Sequence, residues 1–447
     1  MRRNYPLLVA SQVLGAFGDQ AILAVILGQL TFAQNAGRIT PAHLSGWNAI
    51  YSTLLFVPYV VLAPLVGYWN DRHPKTACLA GGNLIRLGGT ALAGTSVWLG
   101  PAAQGLGYLL VGVGACVFSP AKYGILPEIV ARERLVKANG LLEFYTIAAI
   151  LAGFVAGATL VDQLPVLACY GVLLGIYAAS LGLNLLMAPT PRHPEVRWRR
   201  SVDAFFGNLG QLLGHPRLFR VLCGLGLFWF CGAAIKMNFQ PWGLNVLRLH
   251  EETVMVLAHP FQLGVNTRIA LLGLWLSLGV MLGTMAAGAL HRVGDLRGIR
   301  PYGWALAGLV ALLGLADLLL GMGLAQSHGK VVVLLIATGT VAGLFLIPLT
   351  STLQSESDPS RRGKTLAAMN FVDNLGMVFA GGVVLFAAQA GIGASGVFVL
   401  LGVAFGTAVV FLKVPRSPQL AADAAEASPP AEAPSRGSSE QDGGGEI

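Results

Sequence analysis

Residues 112–153 read GVGACVFSPAKYGILPEIVARERLVKANGLLEFYTIAAILAG. An apolar run closes in Ser119-Pro120-Ala121-Lys122-Tyr123-Gly124, a basic turn follows with Arg132, Arg134 and Lys137, and a second apolar run opens at Asn139-Gly140 and carries Glu143. A soluble core helix is rarely so long, so rich in glycine and so poor in charge. The stretch reads as two membrane spans meeting at one face of a bilayer. An ionisable residue inside such a span is costly to keep there and is a functional candidate.

The whole chain agrees with that reading. Its 447 residues are 55% hydrophobic and only 11% charged, against roughly 25% charged in soluble domains. A span needs about 20 apolar residues. Twelve candidates follow one another at 6–31, 45–68, 76–98, 103–126, 139–161, 165–187, 219–243, 266–290, 302–324, 331–353, 365–389 and 392–412. The first begins behind Met1-Arg2-Arg3 and is too long for the apolar part of a signal peptide. Five cysteines, Cys78, Cys116, Cys169, Cys223 and Cys231, lie in or beside the spans without disulfide or metal spacing, so no metal and no cofactor is expected.

The net charge of +8 is arranged for a membrane, not for nucleic acid. Of the 29 Lys and Arg residues, 22 fall on one side if the spans alternate and four on the other (Arg38, Arg248, Arg268, Lys330), while Arg86, Lys122 and Lys236 lie within spans. Basic loops stay in the cytoplasm, which puts both termini there. An error of one span would scramble the alternation, so the bias supports twelve spans as well as their direction.

The expected architecture is an all-α membrane protein built as two pseudo-symmetric six-helix bundles, 1–187 and 217–413. Residues 188–216 form the cytoplasmic linker between them, with Val202, Phe205, Phe206, Leu209, Leu212 and Leu213 at helical spacing on an amphipathic surface helix. Residues 414–447, rich in Ala, Pro, Ser, Glu and Gly, lack the apolar content for a core and are expected to be a disordered cytoplasmic tail. The halves echo each other. Pro120 and Glu128 recur 228 positions on as Pro348 and Glu356, and Gly15 and Asp19 align 217 positions on with Gly232 and Lys236. Parallel repeats of this kind suit a transporter with its substrate site between the halves.

The loop after the second span reads Gly67-Tyr68-Trp69-Asn70-Asp71-Arg72-His73-Pro74-Lys75. It resembles the G-x-x-x-D-R-x-x-[RK] signature of the major facilitator superfamily, in which this loop braces one half against the other in one gating state. Gly67, Asp71, Arg72 and Lys75 are the corresponding positions. Within that superfamily, Ala16-Phe17-Gly18-Asp19-Gln20, the run Ser119 to Leu126, Leu135 to Leu141 and Thr146 to Gly153 resemble the bacterial lysophospholipid transporters. The similarity runs over roughly residues 8 to 410 and is densest in the first half. It implies movement of lysophospholipids, chiefly lysophosphatidylethanolamine, across the inner membrane to the cytoplasmic leaflet. A cytoplasmic acyltransferase then restores the missing chain. A monomer among membrane lipids is expected, with no nucleic-acid partner. The chain departs from the family in having Lys236 where an Arg is usual in span seven, which keeps the charge but loses bidentate phosphate geometry.

The charges fit such a substrate. A zwitterionic headgroup leaving water needs both signs of charge around it. Asp19 and Lys236 can face each other across a cavity lined by spans one, four, seven, eleven and neighbours, Arg86 and Lys122 add positive charge, and Glu143, Asn370 and Asp373 add polarity. Other readings stand beside this one: Lys122 can snorkel or pair with Glu143, and Arg86 can partner an intramembrane acid. A membrane acyltransferase is disfavoured, because none of the eight histidines has Asp five residues later and no P-loop, zinc motif or nucleophile elbow is present. The main rival is a proton-coupled exporter of drugs or small solutes with Asp19 as the proton carrier.

Overall fold

Within lipid, a chain satisfies its own backbone only as helix or closed barrel, and the described parts of the expected stretches are largely helical. The computed structural model describes residues 4–131, 134–192, 194–195, 197–256, 259–291, 295–296, 298–320, 327–356 and 362–414. The expected disordered tail lies outside them apart from its first residue. So do the backbone of Arg2, Arg3, Arg132, Arg292, Arg297 and Arg361 and the end of span nine.

The first half runs α1 (Asn4–Asn35), α2 (Pro41–Leu54), α3 (Val57–Val61), α4 (Ala63–Arg72), α5 (Lys75–Gly94), α6 (Ser96–Leu99), α7 (Pro101–Gly124), α8 (Leu126–Ile129), α9 (Leu135–Gln163) and α10 (Val166–Leu185). The linker contains α11 (Trp198–Gly214), and α12 (Pro216–Asn245) opens the second half. Between α12 and the next helix stands an antiparallel hairpin of β1 (Glu252–Val256) and β2 (His259–Leu263), with Glu252 opposite Leu263. Then follow α13 (Val265–Leu290), α14 (Ile299–Leu320), α15 (His328–Glu356), α16 (Arg362–Gln389) and α17 (Ala394–Phe411).

Nine of the described helices are long and apolar enough to cross a membrane. The other three expected spans differ for visible reasons. Span two, read as one run over 45–68, is divided among α2, α3 and α4, with Pro58 and Pro64 in the first turns of the last two. Each proline lacks the N–H that would carry the preceding helix through. Span three, α5, carries Lys75, Asn83 and Arg86 and is correspondingly less apolar. In α14 the side chains are described over Ile299–Leu315, and that part is apolar.

Helix neighbours repeat six spans on. α1 packs on α9 as α12 packs on α16, and α5 packs on α10 as α14 packs on α17. Across the halves, α2 meets α16 and α9 meets α13, again a related pair. Within the first half α1 and α9 approach backbone to backbone: a Cβ on Gly157 of α9 would lie 2.4 Å from the carbonyl oxygen of Ala21 in α1. The seam keeps residues 4–414 in one compact unit.

The two ends of the bundle are distinct. At the basic end, Asn4 Nδ2 donates to the Ala188 carbonyl at 2.9 Å, closing α1 onto the end of α10. At the far end, Gln34 Nε2 donates to Asn245 Oδ1 at 2.9 Å, joining α1 to α12. The linker helix α11 lies at the basic end and touches α4 of one half and α16 of the other. Trp198 sits edge-on to Tyr68 with ring centroids 5.3 Å apart, and Phe205 meets Phe371 at 5.8 Å. Leu212 is buried, whereas Phe206 and Leu213 face outward.

Candidate functional site

Asp19 and Lys236 occupy matching places in the repeat but point differently. Successive helical residues are rotated by about 100°. Asp19 turns from α1 into its own half, where its carboxylate accepts from Arg86 Nη2 of α5 at 2.7 Å and from the Tyr177 hydroxyl of α10 at 2.9 Å. Arg86 is buried at 3% exposure, donates to Asn83 Oδ1 at 3.0 Å and lies 4.9 Å over the Phe118 ring. Asn83 in turn donates to Ser180 Oγ at 2.8 Å and to Asn184 Oδ1 at 2.6 Å. The result is a polar knot binding α1, α5 and α10 through charge-assisted bonds. The alternative reading of Arg86, as partner of an intramembrane acid, is the arrangement found.

Gln20, the next residue of α1, faces the other half. Its Oε1 accepts from Lys236 Nζ of α12 at 2.6 Å, and the ammonium lies 4.5 Å from the centroid of Phe154 of α9. Lys236 is partly accessible, and it opens onto a small cavity between the halves lined also by Leu27, Asn48, Phe239, Gln240 and Asn266. The cavity walls come from α1, α2, α9, α12 and α13; spans four and eleven, included in the sequence reading, do not contribute to them. An ammonium between apolar walls with amide neighbours can receive one anionic group. Its stacking on Phe154 and its bond to Gln20 hold it in place meanwhile.

The remaining candidates stand apart from this cavity. Lys122 Nζ is buried 4.0 Å from Glu143 Oε1 and 4.6 Å from the centroid of the Tyr123 ring, and the Tyr123 hydroxyl donates to the same carboxylate. This pairing joins the end of α7 to the start of α9, nearer the basic end than Lys236. In α16, Asn370 is exposed and its carbonyl accepts from Asn374 Nδ2 at 2.7 Å. Asp373 is buried, and its Oδ1 has no hydrogen-bond partner among the described residues. In the loop motif, Arg72 Nη1 donates to the Tyr68 hydroxyl at 2.5 Å and Lys75 Nζ donates to the Asn70 carbonyl. The space beside Gly67 is open.

A seam of polar groups, neutral apart from Asp162, runs from the cavity lining toward the far end. Asn48 Nδ2 of α2 donates to Gln240 Oε1 of α12 at 2.6 Å, and Gln240 Nε2 donates to the Leu27 carbonyl at 2.6 Å and to Thr31 Oγ1 at 2.8 Å. At the ends of α9 and α13, Asp162 accepts from the Thr267 amide and hydroxyl at 2.8 and 2.7 Å and from Asn266 Nδ2 at 2.8 Å. Outside these, Arg268 fastens the hairpin by donating to the His250 carbonyl at 2.8 Å and pairing with Glu252 at 3.0 Å, with His328 also in contact. Gln20, Asn48, Phe154, Gln240 and Asp162 were not singled out in the sequence. Lone amides and one acid at a span end carry no spacing signal, and only the facing helix gives them meaning.

A two-half helical bundle, with a cavity at the seam and a basic loop motif, defines a membrane transporter. The family model described as Major Facilitator Superfamily matches residues 9–381. Among solved structures, a POT family transporter in complex with a thioalcohol-conjugated peptide superposes with a TM-score of 0.69 at 14% identity, covering 92% of this chain and 95% of that one. A D-xylose–proton symporter gives 0.69 at 12% identity over 93% of this chain and 98% of that one. These likenesses establish the fold. The lysophospholipid transporter LplT of Serratia proteamaculans (strain 568) is 33% identical over 385 residues, 85% of this chain and 87% of the relative. That of Enterobacter sp. (strain 638) is 32% identical over 410 residues, 90% of this chain and 93% of the relative. The chain belongs to the lysophospholipid transporter family of the major facilitator superfamily.

Proposed function

We propose that the protein moves lysophospholipids, chiefly lysophosphatidylethanolamine, by alternating access across the bacterial inner membrane to the cytoplasmic leaflet, where an acyltransferase re-acylates them. The observation that carries this reading is Lys236, partly accessible at the seam and held by Gln20 and Phe154 beside apolar walls. One phosphate is the anion a single ammonium can take there, exchanging the Gln20 carbonyl for a stronger charged acceptor. The apolar walls suit the glycerol and the start of an acyl chain. Asp19 and Arg86 serve by fixing the rotation of α1 so that Gln20 meets Lys236. Lys122 and Glu143 form a second, dipolar station nearer the basic end for a zwitterionic headgroup, with Asn370 and Asp373 as further polar contacts. The uneven charge count supports cytoplasmic termini, and the largely helical expected stretches support twelve crossings. The protein acts as a monomer. Gly67, Asp71, Arg72 and Lys75 form the brace that biases the gating equilibrium at the basic end.

The test is movement of labelled lysophosphatidylethanolamine between leaflets of proteoliposomes containing the full chain, with and without a proton gradient, beside a panel of small cationic solutes. Protein-dependent lipid movement supports the proposal. Proton-driven movement of the solutes with no lipid movement overturns it in favour of an exporter.

A further inference from the structure

Helix α13 starts without a cap of its own. Its N-cap position is Gly264, in extended backbone (φ −65°, ψ 162°) and without a side chain to accept the first-turn amides. A helix leaves its first amides without internal partners, and the carboxylate that takes up two of them comes from the other half of the molecule. Asp162, at the end of α9, accepts from the backbone N–H of Asn266 at 3.4 Å and of Thr267 at 2.8 Å. The side chains of the same two residues donate to it at 2.8 and 2.7 Å. A Cβ on Gly264 would stand 2.2 Å from the Asp162 carboxyl carbon, so the glycine vacates the space that the carboxylate fills. Thr159 and Thr267 hydroxyls meet at 3.2 Å, and Gln163 Nε2 donates to the Gln262 carbonyl at 3.2 Å, so the contact extends to the hairpin.

We propose that Asp162 caps α13 in trans and is the latch that holds the far end of the bundle shut. An ordinary cap is covalently part of the helix it serves and says nothing about domain arrangement. This one is satisfied only while α9 and α13 are together. Separation of the halves withdraws the carboxylate from four donors at once and exposes a helix N-terminus whose dipole favours the negative charge it loses. The latch is distinct from the basic brace at Gly67–Lys75, which lies at the other end of the bundle. It is independent of which substrate is carried.

The capping geometry also supplies the test. Spin labels at Ala36 and Ala390, both exposed at the far end and on opposite halves, report its opening when the five native cysteines are replaced by alanine. Asp162→Ala should raise the far-open population about tenfold, the scale of a lost cap, and lower thermal stability. Adding Gly264→Ser to Asp162→Gly, which also removes the residue-162 Cβ that would otherwise lie 2.4 Å from the new side chain, returns a capping oxygen to α13 within its own half. This double variant should recover stability while the far-open population stays high. If the double variant recovers both, Asp162 is a structural cap only and the proposal fails. An unchanged distance distribution in Asp162→Ala also overturns it. Should that variant not fold, Asp162→Asn, which keeps one acceptor but loses the charge, must show the same shift at smaller amplitude; no shift there refutes the latch.

Discussion

The contacts that cross between the halves and those that stay inside one half use different chemistry. The crossing contacts at the far end are mostly amides and hydroxyls, Asn48 with Gln240, Gln34 with Asn245 and Gln240 with Thr31, around the single carboxylate of Asp162. Inside the halves, full ion pairs lie buried or partly buried: Arg86 with Asp19 at 2.7 Å, and Arg217 with the partly exposed Glu356 at 2.7 Å. A buried ion pair is costly to break because each partner is left charged out of water. A neutral amide pair has less at stake, since water can replace the partner once the seam opens. Contacts within a half are held by charge and those across the seam mostly by neutral groups, as suits a seam that opens under the proposed alternating access.

That difference can be broken from the charged side first. Asp19→Ala strands Arg86 in the first half and should cost about 3–5 kcal/mol of stability, read as a lower melting temperature in detergent. Asp19→Ala combined with Arg86→Leu should recover part of the loss, because no uncompensated charge remains. Neither change should favour one gating state. A large change in far-end accessibility at unchanged stability would show that the pair belongs to the gate instead.

A smaller effect, of the opposite kind, is expected at the seam. Gln240→Ala removes three crossing bonds and should shift the gating equilibrium by about 1–2 kcal/mol, roughly five- to thirtyfold, with little change in melting temperature. Cysteine accessibility at the far end before and after the substitution measures it. A melting temperature that falls as far as in Asp19→Ala would place Gln240 among the permanent contacts. The smallest effect is expected for Asp71→Asn in the basic brace, a few-fold slowing of turnover with substrate binding nearly unchanged, because a contact present in one state biases only that equilibrium. Lost binding with normal gating would contradict the brace.

Much of the fold was legible because lipid imposes a strong code. Apolar length gives the helices, so the expected stretches are largely helical near their expected bounds where they are described, and nine described helices are long and apolar enough to cross a membrane. The breaks at Pro58 and Pro64 were readable in principle but were overridden by an unbroken apolar run. The site was legible in part. Charged residues inside spans announced Asp19, Arg86, Lys122 and Lys236, yet their partners depend on helix rotation. Residues 19 and 20 differ by one position and look into different halves, so alignment of Asp19 with Lys236 gave their depth but not their facing. The hairpin was hidden for another reason: residues 244–267 lack the alternating pattern of a half-buried strand pair, and Arg268, counted only as a far-side charge, turned out to fasten it.

The central claim is that Lys236 receives the phosphate of a lysophospholipid at the seam. The measurement that meets it most directly is uptake of lysophosphatidylethanolamine and lysophosphatidylglycerol into proteoliposomes by Lys236→Ala and Lys236→Arg, normalised to folded protein. Both lipids carry the phosphate and only one carries an ammonium. The account predicts at least a tenfold loss for both lipids in Lys236→Ala, the worth of about one charged hydrogen bond, and retained uptake of both in Lys236→Arg, whose guanidinium offers two donors. Normal uptake of both lipids by Lys236→Ala would contradict it.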